Sequence, residues 1–227
     1  IAGGTGKGDG VRLMSIQIFD GEEGCYNHQL ARGFMYAADN GAVLINNSWG
    51  YDPDSYQSDS EFEYWDSVLK DAIDYFETNA GLEGVIDGGL AIFAAGNELY
   101  PEAVYPGAYH KYTCVTAMAS DYTAAYYTNY GPGCNISAPG GDANYGTLFC
   151  ISSTSLDLKW GYEYMQGTSM ATPHVTGCAA LALSYALKQG YTLTAAELRN
   201  LLLTSTNDIN AYQTGSKLCY DHINGEY

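Results

Sequence analysis

The sequence is short of positive charge. Its 227 residues carry 9 Lys and Arg against 26 Asp and Glu, a formal net charge of −17. A surface of that sign repels phosphate, which excludes nucleic acid as a partner. Charge of either sign is scarce, at 15% of residues, where about a quarter is usual. No apolar run reaches the roughly 18 residues of a membrane-spanning helix. Cysteine is sparse as well: the six, Cys25, Cys114, Cys134, Cys150, Cys178 and Cys219, form no C-x-x-C pair and no Cys/His cluster with zinc spacing. They are too few to scaffold a chain of this length. Small buried thiols are the plainer reading, and disulfides stay open. Neither an initiator Met nor a signal peptide stands at Ile1, so the N-terminus is expected to reflect processing or truncation. What is present instead is apolar and tyrosine-rich: 46% hydrophobic residues, 27 Gly and 22 Tyr. That composition excludes disorder and permits a sizeable core.

Strand and helix signals alternate along the chain. Residues 11–19 alternate between apolar and polar and are bounded by Asp20-Gly21, which predicts a strand. Leu30, Phe34, Ala37 and Ala38 fall at helical spacing before an Asn40-Gly41 stop. Residues 42–46 form a short apolar run, the mark of a strand buried on both faces. After an acidic loop at 51–60, Ser60 and Glu63 predict a capping box. The helix that follows places Phe62, Trp65, Val68, Leu69, Ile73 and Phe76 on one face. Residues 89–95 and 113–117 read as buried strands, and the tyrosine-rich 122–130 as an antiparallel hairpin. A long small-residue helix over 169–187 ends at Gly190, and Thr194 with Glu197 caps a last helix at 195–203. The alternation predicts a parallel α/β sheet with helices on both faces, in one domain.

The strongest chemical signal is Gly167-Thr168-Ser169-Met170-Ala171-Thr172-Pro173-His174. A glycine frees the backbone for a close approach. A serine then stands at the mouth of a helix, with Pro173 read into the first turn, where its missing N–H costs nothing. The helix N-terminus offers partial positive charge and open N–H groups beside Ser169, which suits a serine whose attack creates an oxyanion. The competing reading is an ordinary Thr-Ser N-cap.

This segment resembles the nucleophile signature of the subtilisin-like serine peptidases, the subtilases. Other segments match in the same order. Val43-Leu44-Ile45-Asn46-Asn47-Ser48-Trp49-Gly50 resembles the strand that ends at a substrate-binding Ser-x-Gly. Phe93-Ala94-Ala95-Gly96-Asn97-Glu98 resembles the strand that ends at the oxyanion asparagine. Tyr105-Pro106-Gly107 and Ser137-Ala138-Pro139-Gly140 resemble two structural turns. The resemblance implies a three-layer α/β/α fold with a mostly parallel sheet. It makes Ser169 the nucleophile and Asn97 the side-chain oxyanion donor. Ser48, Trp49 and Gly50 would pair with a peptide or protein substrate as an added strand. Ala94, Ala95 and Gly96 would line the first specificity pocket, and Glu23 and Gly24 the opposite substrate strand. Trp49 reads equally well as a core aromatic. His174 is structural in the family. The resemblance requires no cofactor, admits a structural calcium at carbonyls near Gly107 and Tyr112, and implies an extracellular or cell-envelope location.

The family pattern is incomplete here. A subtilase presents an Asp in an Asp-[Ser/Thr]-Gly setting and a His in a His-Gly-Thr-His setting, which orient and accept the nucleophile's proton. None of His28, His110, His174 and His222 stands in that setting, and Asp20-Gly21 ends the wrong strand. The sequence therefore reads as one subtilase-like domain over residues 1–227, cut at both ends and missing its first strands. Alone it should be nearly inactive. A missing inner strand would leave open sheet edges. The expected remedies are an N-terminal fragment of the same precursor, a swapped second copy, or closure of the two flanking strands. The alternative function is a non-catalytic module that binds peptides or partners.

Overall fold

In a computed structural model of the chain, the described residues are 11–19, 24–156 and 161–213. The elements run in chain order α1 (Asn27–Asp39), β1 (Leu44–Asn47), α2 (Asp59–Trp65), α3 (Ser67–Asn79), β2 (Gly81–Leu82), β3 (Ile86–Asp87) and β4 (Leu90–Ala94). Then come β5 (Thr113–Met118), β6 (Ile136–Pro139), β7 (Ile151–Thr154), β8 (Tyr162–Met165), α4 (Thr168–Gln189), β9 (Leu193–Thr194) and α5 (Ala195–Thr204). Strands β1, β4, β5 and β6 are hydrogen-bonded neighbours in that order, and β4–β5 and β5–β6 are parallel. Contacts divide the chain into two compact units. The first takes in the described parts of Ile1–Asn46, Tyr56–Ala91 and Thr176–Ser205; the second those of Asn47–Ser55, Ile92–Val175 and Thr206–Tyr227.

In the first unit, helices α1 and α3 share a core of Leu30, Phe34, Ala37, Leu69, Ile73 and Phe76. Phe34 and Phe76 meet edge to face at 6.4 Å. The helix predicted after the acidic loop is two helices. Ser58, not Ser60, is the N-cap and accepts from Glu61 N. The break falls at Asp66, with φ −124° and ψ 33°. Asp66 is 2% exposed, and its carboxylate accepts from Asn27 Nδ2 at 2.8 Å and Tyr56 OH at 3.4 Å. The kink rotates Phe62 and Leu69 onto one buried face and leaves Trp65 and Val68 exposed. The cap of α5 is as predicted, with Thr194 and Glu197 bonded reciprocally.

One strand expectation in this unit fails and a second holds only in part, for one reason. Residues 11–19 form no ladder. Alternation only makes a chain fit to pair, and a strand exists when a neighbour supplies hydrogen bonds. Instead Ile16 packs near Gly33 of α1, where an added Cβ would lie 3.3 Å from Ile16 Cγ2. Closure of this segment onto β1 therefore does not occur. β1 itself begins at Leu44, and Val43, Leu44 and Ile45 are only half-buried. With β4 as its sole neighbour among the described residues, β1 is an edge strand rather than one buried on both faces.

In the second unit, the β4–β5 ladder aligns Ile92 with Thr113 and Ala94 with Val115. The β5–β6 ladder aligns Val115 with Ile136 and Met118 with Pro139, so the predicted Ser-Ala-Pro turn lies largely inside a strand. β7 and β8 form an antiparallel hairpin without a sequence expectation behind it. The tyrosine-rich 122–130 is not a hairpin. It returns along β5 through a single Met118–Ala124 bridge, with Tyr122 in the left-handed region at φ 68°. Its partners are elsewhere: Tyr126 N donates to Asp142 and buried Tyr127 OH to Gly140 O and Gly141 O.

Candidate active site

Ser48, the 94–100 segment, Asn129 and the start of α4 all belong to the second unit. Strand β4 delivers Ala94, and the chain then turns sharply at Gly96, whose φ is 106°. A Cβ there would run into Asn129 Nδ2 and Glu98 Oε2, so the turn needs glycine. Asn129 is fully buried and holds the turn from behind: its Oδ1 accepts from Glu98 N at 2.9 Å and Tyr100 N at 3.0 Å. Its Nδ2 donates to Glu98 Oε2 at 3.0 Å, and that oxygen also accepts from Asn97 N at 2.7 Å. Asn97 itself is exposed.

From the other side comes the start of α4. Gly167 O accepts from Met170 N and Ala171 N, which opens the helix. Thr168, fully buried, joins the two segments. Its N and Oγ1 both donate to Asn97 Oδ1, at 2.8 and 3.0 Å, while Oγ1 accepts from Gly96 N at 3.3 Å. A backbone N–H can only donate, so the amide atom facing Thr168 must be oxygen. The NH₂ of Asn97 is thereby turned to the exposed side.

Ser169 follows Thr168 and is half-buried. Its Oγ donates to Ser48 O at 3.1 Å, and Ser48 Oγ donates to Ser169 O at 2.8 Å. The second bond has a cause in the sequence. Ser169 O would normally accept from the N–H four residues on, which is Pro173 and has none. Pro173 therefore does not sit in the first turn as the sequence reading had it; it lies deeper in α4, and Ser48 satisfies the carbonyl it orphans.

Thr168 thus ties the predicted Asn97 to the segment that bears Ser169, and Ser48 bonds to Ser169 directly. Thr168 and Asn129 are the residues that sequence reasoning missed. Pro173 at four residues past Ser169 was a legible sign that an outside donor was needed; nothing local marked Asn129.

Residues 2–222 match the subtilase family, peptidase family S8. The chain belongs to that family. It is 28% identical over 220 residues to a thermophilic serine proteinase of Bacillus sp. strain AK1, covering 97% of this chain and 46% of the relative. It is 37% identical over 125 residues to the halolysin of Haloferax mediterranei, covering 55% of this chain and 21% of the relative. The chain thus spans less than half the length of these relatives. Among solved structures, the prenylagaramide maturation protease PagA superposes with a TM-score of 0.67 at 28% identity, over 85% of this chain and 62% of PagA. The fold is accordingly the subtilisin-like, three-layer α/β/α class with a mostly parallel sheet.

The other positions carried from the subtilase resemblance are placed as follows. Trp49 is half-buried, edge to face with Phe93 at 6.0 Å and Tyr51 at 6.3 Å, an aromatic packed at the end of the sheet. Gly50 must be glycine, since a Cβ would strike Val104 Cγ2 and Tyr105 O. Ala94, Ala95 and Gly96 are buried. Gly24 belongs to the first unit, is exposed, and has nothing within 4 Å of an added Cβ. Glu23, Asp20 and His222 lie outside the described residues. His174 Nδ1 lies 2.8 Å from Met170 O; a carbonyl only accepts, so this nitrogen carries its hydrogen and donates back into its own helix. Among the described residues no histidine contacts the Ser169 hydroxyl, and no cluster of three or more His, Cys, Asp or Glu could hold a metal ion. No described helix is long and apolar enough to cross a membrane. A cavity of about 140 Å³ opens elsewhere in this unit, beside Thr116, Cys134, Asn135 and Gln213; none of the predicted site residues lines it.

Proposed function

We propose that this subtilase chain is the nucleophile-bearing part of a serine endopeptidase. Ser169 Oγ attacks the scissile carbonyl and loses its proton to a histidine base. The oxyanion is received by Asn97 Nδ2 and by the N–H of Ser169, one of the first-turn donors of α4 with no intrahelical acceptor. Ser48, Trp49 and Gly50 accept the substrate as an added strand, and Ala94, Ala95 and Gly96 wall its first pocket. The observation that carries this reading is the double donation from Thr168 to Asn97 Oδ1, which aims the amide NH₂ outward beside the helix that bears Ser169. A surface loop asparagine needs no such clamp.

The base and its orienting carboxylate are supplied by a segment of the same precursor, or by a swapped copy, added beside β1. The edge position of β1 and the half-burial of Leu44 and Ile45 support this. Any calcium is structural, bound by carbonyls near Gly107 and Tyr112. The enzyme works outside the cell or in its envelope, where a broad protease does no harm to its producer.

A second reading, a peptide-binding module without catalysis, is favoured by one observation: the Ser169 hydroxyl is engaged by the Ser48 carbonyl rather than by a base. A fluorophosphonate probe separates the two. Labelling at Ser169 of the protein purified from its native source, with loss of labelling in Ser169→Ala, supports the peptidase. Absence of labelling, with an intact mass equal to this chain alone, overturns it.

A further inference from the structure

Ala95, Ala103, Cys114 and Cys134 form one buried cluster in the second unit, with Ala108 packed against it. Cys114 is fully buried and Cys134 is 7% exposed. Their segments are locked side by side: Asn135 N donates to Cys114 O at 3.1 Å, and Cys114 N donates to Asn135 Oδ1 at 2.7 Å. A turn closed by Cys134 N on Gly131 O precedes this lock. The neighbouring Cys134 side chain, and then burial, push the Cys114 thiol well up. Space around Cys114 is reserved, since a Cβ at Gly107 would come 3.0 Å from its sulfur. Cys134 also borders the cavity of about 140 Å³, roughly the volume of five waters. The remaining described cysteines, Cys25, Cys150 and Cys178, have no such partner.

We propose that Cys114 and Cys134 are a dithiol–disulfide pair, oxidised by small aliphatic disulfides that reach Cys134 from the cavity. Cys134 gives up its proton, and its thiolate attacks one sulfur of R–S–S–R. The released RS⁻ takes up that proton. Cys114 then gives up its proton and attacks the Cys134 sulfur of the mixed disulfide, and the second RS⁻ leaves and is protonated. Two protein thiols are oxidised and one R–S–S–R is reduced to two RSH. The order follows from exposure: Cys134 is reachable, while Cys114, proton-bound and enclosed, is the resolving thiol. The bond would close the loop 114–134 and brace β5 against the start of β6. Ala95, in the same cluster, lies two residues before Asn97, so the brace sits directly under the segment that carries the amide.

The inference is independent of proteolytic activity, and so is its test. The native protein is incubated with hydroxyethyl disulfide, quenched with iodoacetamide in denaturant, and digested without reductant. The expected product is a cross-linked peptide joining the Cys114 and Cys134 segments, two hydrogens lighter than the reduced pair. Its formation should raise Tm by roughly 5–10 °C, the shift expected for closing a loop of this length in a chain of this size. Dithiothreitol should abolish that rise, and Cys134→Ser should lack it. Recovery of both cysteines alkylated, or of Cys134 as a stable mixed disulfide with Cys114 alkylated, overturns the proposal. If Cys134→Ser does not fold, the peptide map of the wild-type chain decides alone.

Discussion

Ser48 and Ser169 bond to each other twice, the hydroxyl of each donating to the carbonyl of the other, at 2.8 Å and 3.1 Å. The shorter bond fills the acceptor that Pro173 leaves open in α4. Ser48 is therefore a positioning residue through its side chain, besides the strand-pairing role proposed for its backbone. Replacing Ser48 by Ala leaves the Ser169 carbonyl without a donor. The cost should be about 1–3 kcal/mol, the usual penalty for an orphaned half-buried acceptor. In a chain of this size that lowers Tm by roughly 2–4 °C per kcal/mol. A Ser48→Ala, Pro173→Ala double variant regains an intrahelical N–H and should recover part of the loss. A double variant no more stable than Ser48→Ala would show that Pro173 is not the reason for the contact.

Thr168 does for Asn97 what Ser48 does for Ser169. Thr168→Val removes one donor to Asn97 Oδ1 and the acceptor for Gly96 N, while the backbone donor remains. The amide should wobble but not vanish. Fluorophosphonate labelling of the assembled protein should slow by about tenfold. Asn97→Leu should slow it by about 10²–10³, the magnitude for removing one oxyanion donor, a figure that comes from a subtilisin and so is not independent. Thr168→Ser keeps the hydroxyl and should label at nearly the wild-type rate. Equal loss in Thr168→Ser and Thr168→Val would point to packing instead.

The kink at Asp66 admits a test of stability alone. Asp66 is buried and receives Asn27 Nδ2 and Tyr56 OH. Asp66→Ala strips both donors of their acceptor and frees the helix to run straight, which would carry Phe62 off the face shared with Leu69. A loss of about 2–4 kcal/mol is expected from the lost bonds and repacking together. Urea denaturation of both proteins reads it, and a midpoint unchanged within error would show that the break is set by something other than this carboxylate.

Local, self-contained signals were the legible ones. The capping box of Thr194 and Glu197 sits where it was read, because a cap depends on residues three apart. The glycine-serine start of α4 and the apolar run of β4 were equally plain. The resemblance pointed to Ser48, Asn97 and Ser169, but not to the residues that hold them. Thr168 looks like any residue before a nucleophile until its oxygen is seen between Gly96 and Asn97. Asn129 stands in a stretch whose tyrosines suggested a hairpin. Residues 11–19 were misread because alternation is a property of the chain, whereas pairing is a property of its neighbours.

Tyr127, in the 122–130 stretch, gives the last expectation. Tyr127 is buried, and its phenol reaches Gly141 O at 2.7 Å and Gly140 O at 3.0 Å. Gly140 O also accepts from Gly167 N, so this hydroxyl helps to anchor the residue from which α4 starts. Burial pushes the Tyr127 phenol above its ordinary range, against a smaller lowering by the Gly167 N–H. A phenol held protonated in the folded chain contributes stability that is complete below its unfolded pKa, near 10, and is lost as pH rises toward the folded value. Tyr127→Phe should cost about 1–2 kcal/mol at neutral pH by removing the bond. The gap between wild type and variant should then narrow above about pH 10, since only the wild type loses this contribution there. Urea midpoints of the two proteins between pH 7 and 11 check both statements. A gap that stays constant to pH 11 would mean that the phenol titrates as it does in the unfolded chain.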